Sequence, residues 1–307
     1  MYAEKALDPL LTAVLAHTPP TLDARALGDI IGRLSIPPCP QVLQALMTEI
    51  RAETVDFQRV VGLISGDVSL AAAMIRAANS PVFALRHKVQ NVQQAVTILG
   101  LKQVTQMVAG IELERSLSAG ISMERFWERS NLHAVACATL ATQLGGGAAP
   151  VSREDAHTYG LFHDCGIPIL MQHFPDYKET LARANHADRP MPEVEHERHG
   201  VSHVTVGALL AADWQLSDII VEAIKGHHDP ILLEDEEEPP LVRTLIALSI
   251  LADHLVARYL EVPEEAEWHG WGSHVLDYLG LDDLFLEELY PDVAANLAEA
   301  RATRRGG

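Results

Sequence analysis

Apolar residues recur at intervals of three and four along most of the chain, the pattern of helices that each bury one face. In 41-QVLQALMTEIRAE-53, Val42, Leu43, Leu46, Met47 and Ile50 form one stripe. In 56-DFQRVVGLISGD-67, Phe57, Val60, Val61 and Ile64 form another, ended at Gly66-Asp67, where Asp67 can cap the helix that follows. That next helix, 68-VSLAAAMIRAAN-79, is rich in alanine, so a neighbouring helix can approach it closely. The spacing also predicts a short helix over 91–100, closed by Gly100, and a longer one over 101–117. Before these, two short amphipathic helices are expected within 7–18 and 22–34, separated at Thr18-Pro19-Pro20.

The second half continues the period. Helices are expected over 123–144, closed by three glycines, over 153–174 with a break near Pro168, and over 202–214, 217–229 and 241–260, the last preceded by an acidic loop at 234–238. No alternating run suggests a strand, so the expected fold class is all-α, a helical N-terminal module (1–118) packed on a second helical domain (119–295), with a flexible tail at 296–307.

Composition narrows the function classes. The 307 residues are 48% hydrophobic, enough to fill a sizeable core. The formal charge of −19 repels phosphate backbones and anionic bilayers, so neither nucleic acid nor membrane is an expected partner. No uninterrupted apolar run reaches the roughly 20 residues of a membrane span, and MYAEKALDPLL lacks a signal-peptide pattern, giving a cytoplasmic expectation. Cys39, Cys137 and Cys165 are few and widely spaced, which suggests neither a disulfide framework nor a thiolate zinc site.

The candidate chemistry lies in the second half, in His133, His163, Asp164, His203, His227, His228 and Asp253. Imidazole and carboxylate without thiolate suit iron, manganese, nickel or zinc, as one ion or two, and a carboxylate such as Asp164 can bridge a pair. The seven residues come from five expected helices, the distribution from which a bundle builds an interior metal site. Asp253 stands among apolar residues of its helix and needs a partner, metal or otherwise. His173, His186 and His254 are set aside as ordinary surface or satisfied histidines. His227-His228 also suits a helix C-terminus, where imidazolium meets the negative end of the dipole, and the whole cluster is also compatible with a hydrogen-bonded polar network holding no metal.

The order H…HD…H…HH…D resembles the HD superfamily of helical metal-dependent phosphohydrolases, whose H…HD…D ligands correspond to His133, His163-Asp164 and Asp253. His203, His227 and His228 resemble the further histidines of the HD-GYP branch, which cleaves cyclic di-GMP. The segments 36-IPPCPQVLQAL-46, 63-LISGDVSLAAAMIRAANSPVF-83, 95-AVTILGLKQV-104, 203-HVTVGALLAADWQL-216 and 223-AIKGHHDP-230 resemble a narrower relative, the HDOD domain, over about residues 30 to 260. Active HD-GYP proteins carry HDxGK, whereas HDCGI here puts Ile167 in place of the lysine; no GYP follows the histidine pair, and Arg129 stands where some relatives place an extra glutamate. The resemblance therefore implies a regulatory, signal-transducing module that acts on protein partners without hydrolysis and keeps an HD-type metal site. The alternative it implies is a metal-dependent phosphohydrolase or phosphodiesterase for nucleotides or cyclic dinucleotides.

Overall fold

A computed structural model of the chain describes residues 24–79, 87–118, 123–144, 150–185, 189–263 and 266–305. The helix expected within 7–18, and His186, lie outside these residues. No strand occurs among the described residues, and the fold is all-α.

The first half follows its periodicity closely. Helix α1 (Ala24–Ile31) leads to α2 (Gln41–Ile50), α3 (Phe57–Ser65) and α4 (Val68–Ala78). Asp56 caps α3 by accepting from the amides of Gln58 and Arg59, and Asp67 caps α4 by accepting from Ser69 and Leu70. α5 (Val92–Leu117) starts on an Asn91 cap and is broken where expected: Gly100 takes φ 77°, a conformation that a side chain disfavours, which separates its two arms.

The second half is built around α6 (Glu124–Gln143), α7 (Arg153–Phe162), α8 (Gly166–His173), α11 (His203–Asp213), α12 (Asp218–Gly226) and α13 (Pro240–Leu260), with α9 (Tyr177–Ala184) and α10 (Met191–His199) between α8 and α11. The break in 153–174 comes at His163-Asp164-Cys165, earlier than Pro168. Proline is harmless in the first turn of α8, where amides have no partner inside the helix, so it does not interrupt anything. Helices α14 (Ala266–Leu279) and α15 (Asp283–Arg305) complete the chain. The expected tail from 296 is instead the end of α15: Leu297 is fully buried, and Arg301 and Arg304 pair with Glu128 and Glu114, each at 2.7 Å. Its helical stripe, short of the terminus, is what holds it down.

The buried side chains form one cluster from Ile31 to Leu297, so the two expected parts share a core. Trp214 Nε1 donates to the Pro37 carbonyl at 3.0 Å and Gln172 Nε2 to that of Leu117 at 2.6 Å, two polar ties across that junction. α13 is long and apolar enough to cross a membrane, at 21 residues with a mean hydropathy of 1.5, but 78% of that window is buried inside the fold. It is the central helix of the second half, burying residues from Val242 to Ala257.

Two glycines set the distances at which the site is assembled. A Cβ on Gly160 of α7 would lie 2.9 Å from the Cα of Ala134 on α6, and a Cβ on Gly166 of α8 would lie 2.8 Å from the His203 carbonyl carbon and 2.9 Å from the Gly207 amide nitrogen on α11. Both are well inside ordinary carbon contact of about 3.5–4 Å. Glycine at these two positions is therefore what lets α7 lie on α6 and α8 lie on α11.

Candidate metal centre

All seven singled-out residues converge. His133 comes from the middle of α6, His163-Asp164 from the turn between α7 and α8, His203 from the first position of α11, His227-His228 from the end of α12 and Asp253 from α13. They form two groups within which the candidate ligand atoms all lie within 4.8 Å of one another: His133, His163 and Asp253, and Asp164, His203, His227 and His228.

Asp164 joins the two. Its Oδ2 lies 3.2 Å from His163 Nε2, while its Oδ1 lies 3.4 Å from His203 Nε2 and 3.5 Å from His227 Nε2. One carboxylate thus turns one oxygen toward each group, the geometry of a bridging ligand. On the first side His133 and His163 stack with centroids 4.0 Å apart, and His133 Nε2 lies 3.6 Å from Asp253 Oδ2. On the second side the Nε2 atoms of His203 and His227 approach to 3.5 Å.

The other ring nitrogens explain why these atoms face inward. His163 Nδ1 lies 2.8 Å from the Gly160 carbonyl, His133 Nδ1 3.1 Å from the same oxygen, and His227 Nδ1 2.8 Å from the Ile224 carbonyl. His203 Nδ1 meets Glu195 Oε2 at 2.6 Å, and His228 Nδ1 is bonded to Glu267. Every one of those partners can only accept, so Nδ1 carries the proton, and where the ring is neutral Nε2 presents a lone pair; His133 Nε2 faces a second acceptor as well, the Ser249 carbonyl at 3.2 Å. In the Asp164 groups that lone pair faces carboxylate oxygen, and two lone pairs at 3.2–3.5 Å are stable only with a cation or a proton between them. Histidine whose far nitrogen is tied to carbonyl or carboxylate is also the usual outer arrangement of a metal ligand. The residues present therefore fit one or two divalent cations.

Electrostatics divide the rings, favouring the neutral form at His133 and His227 and the protonated form at His163. Burial, reinforced by His163, pushes His133 down to about 4, and burial with His228 pushes His227 down to about 3, so both rings are neutral at pH 7 as a ligand must be. Burial also acts on His163, but the Asp164 carboxylate outweighs it and holds that ring above its ordinary value. The Asp164 carboxyl is likewise pressed upward by burial and pulled further down by His163, ending well below the usual range.

Residues that periodicity did not single out complete the site. Glu195 is fully buried and accepts from both the amide and the ring of His203 and from the Tyr177 hydroxyl. Ser249 lies against His133, its hydroxyl 3.2 Å from Nε2. The only hint of Glu195 in the sequence is an acid eight positions before His203, in a stretch whose helical stripe is too weak to draw attention. Asp253 is not an isolated buried carboxylate: its side chain is 19% exposed, and its partner is Arg129, whose Nη2 lies 3.2 Å from Oδ1. Ile167, where a lysine is expected in hydrolytic relatives, is a core residue at 8% exposure. Of the set-aside histidines, His254 is buried and stacked on Trp268 at 4.0 Å, and neither it nor His173 joins the cluster.

The model of the HDOD domain matches residues 36–230. An uncharacterized protein of Treponema pallidum is 26% identical over 232 residues, 75% of this chain and 44% of that protein, so the chain spans under half the length of this curated relative. Among solved structures, an HDOD domain protein with unknown function from Geobacter sulfurreducens superposes with a TM-score of 0.64 at 18% identity, over 91% of this chain and 97% of that one. A protein of Marinobacter aquaeolei VT8 provisionally named for signal transduction gives 0.69 at 24% identity, over 94% and 67% of the two chains. One of Shewanella amazonensis SB2B provisionally named a phosphohydrolase gives 0.67 at 23%, over 91% and 97%. These likenesses establish the fold.

Proposed function

Because the chain belongs to the HDOD family, we propose that it is a regulatory module of signal transduction, built round a histidine–aspartate metal centre and acting through protein contacts rather than turnover. The observation that carries this reading is the engagement of the site's own groups with one another. Arg129, the cationic side chain on the cluster, is bound to Asp253, and the position after the HD glycine is the buried Ile167. Phosphoryl transfer needs positive charge placed on the equatorial oxygens, and here that charge is turned onto a carboxylate of the protein.

His133, His163, Asp164, His203, His227, His228 and Asp253 are the residues that would hold the metal. When bound, it would cross-link five helices and supply Lewis-acid character at their meeting point. The reading extends to a cytoplasmic location, where the three buried, unpaired thiols stay reduced. The partner is a signalling protein; the acidic surface argues against nucleic acid and anionic membrane.

The complete ligand set favours a second reading, a metal-dependent phosphohydrolase of nucleotides or cyclic dinucleotides. One experiment separates the two. Protein purified anaerobically and loaded with iron, manganese, nickel or zinc is assayed for bound metal and for release of phosphate or linear dinucleotide. Bound metal without turnover is the expected result. Turnover that disappears in Asp164→Asn would establish the hydrolase instead, and absence of metal from every preparation would leave the cluster a polar network.

A further inference from the structure

The two halves of the cluster are not equivalent, and the difference lies in one residue of the sequence. Arg129 precedes His133 by one turn of α6, so the two side chains share a face. From there the guanidinium reaches Asp253 Oδ1 at 3.2 Å, while the other oxygen of the same carboxylate lies 3.6 Å from His133 Nε2. His133 Nε2 is engaged a second time, by the Ser249 hydroxyl at 3.2 Å. In the His133/His163/Asp253 half, therefore, every candidate ligand already has a partner, with His163 Nε2 facing Asp164 Oδ2 at 3.2 Å and Asp253 holding a permanent cation.

The other half is arranged differently. Asp164 Oδ1, His203 Nε2 and His227 Nε2 converge at 3.4–3.5 Å with their outer nitrogens tied down, and His228 joins them with Nδ1 held by Glu267. Three imidazoles and one carboxylate are a sufficient first set of ligands for a divalent cation.

Resting on the metal-centre reading above, we propose that Arg129 takes the place of a second metal ion: the protein binds one divalent cation tightly through Asp164, His203, His227 and His228, while the guanidinium occupies the positive charge position on Asp253 and keeps the other half closed. Like charges a few ångströms apart at a partly buried site repel by several RT, so a second ion has to displace the arginine before it can use Asp253. Arg129 is a positioning residue in this scheme, setting how many ions the centre holds.

The test is a titration of the metal-free full chain with Mn(II) or Zn(II), read by calorimetry and by elemental analysis after desalting. The wild type is expected to retain one equivalent. Arg129→Gln is expected to gain a second equivalent, its affinity raised about tenfold or more. His227→Ala should remove the first equivalent. Two ions of similar affinity in the wild type, or an unchanged stoichiometry in Arg129→Gln, would overturn the proposal. Should Arg129→Gln not fold, the Mn(II) resonance of the wild type decides alone: an uncoupled single-ion signal at saturation supports the proposal, and an exchange-coupled pair refutes it. No binding by any of these proteins would refute the metal-centre reading itself, which is a separate result.

Discussion

Replacing Gly166 by alanine tests the claim that the site is assembled by a close approach of two helix backbones. The new Cβ would lie 2.8 Å from the His203 carbonyl carbon and 2.9 Å from the Gly207 nitrogen, and nearer still to the His203 carbonyl oxygen. Ordinary carbon contact is about 3.5–4 Å, so α8 and α11 must part by roughly 1 Å. Both surfaces are backbone, which cannot swing away as a side chain would. Overpacking of this kind costs about 1–3 kcal/mol, and rigid neighbours put this case at the upper end, while the better helix propensity of alanine returns up to about 1 kcal/mol. The net expectation is a loss of about 2–3 kcal/mol, or a fall in Tm of roughly 4–10 °C for a chain of this size. The same parting lengthens the 3.4 Å approach of His203 Nε2 to Asp164 Oδ1, so metal affinity should fall with stability. Gly62→Ala is the control: this helical glycine has nothing within 4 Å of an added Cβ, and its replacement should stabilise by about 0.5–1 kcal/mol. Thermal melts and metal titrations of the two variants measure both effects. If Gly166→Ala melts at or above the wild type and binds metal unchanged, the contact is not there and the reasoning fails.

Two further outcomes follow from other parts of the structure. Glu195→Gln keeps the size of a fully buried side chain but weakens its hold on the His203 ring, so metal affinity should fall by about 10–100-fold with little change in the far-ultraviolet circular dichroism; an unaltered titration would remove Glu195 from the site. Asp67 caps α4 and pairs with Arg115 at 2.8 Å, and that hydrogen bond holds its carboxyl well below the usual range. A depressed pKa contributes stability above the unfolded value near 4 and loses it as pH falls toward the folded one. Asp67→Ala should therefore cost about 1 kcal/mol at pH 7, and the gap to the wild type should narrow only as pH falls well below 4; urea melts at pH 7 and pH 2 that show a constant gap would contradict the assignment.

What could be read from the chain, and what could not, divides along a physical line. Helix positions in both halves followed from one-face periodicity, and the break at Gly100 and the cap at Asp67 followed from local chemistry, because each depends on neighbours within a turn. The seven cluster residues could be named because imidazole and carboxylate on apolar helices need a partner, and five helices are enough to provide one. Their pairing could not be named. Which oxygen of Asp164 faces which ring, and that Glu195 rather than another acid holds His203, depend on contacts between α8, α10 and α11 that no periodicity encodes. Arg129 shows the limit most clearly. Beside His133 in the sequence it stands as a departure from a ligand pattern, and a missing ligand reads as a loss. In three dimensions the same residue puts a fixed positive charge on Asp253, where a cation is called for. A guanidinium at this position balances the Asp253 carboxylate with a charge that belongs to the protein itself. If Arg129 stands in for a second ion as proposed, the centre would retain its aspartates, its histidines and its fold without the metal pair on which two-metal hydrolysis depends.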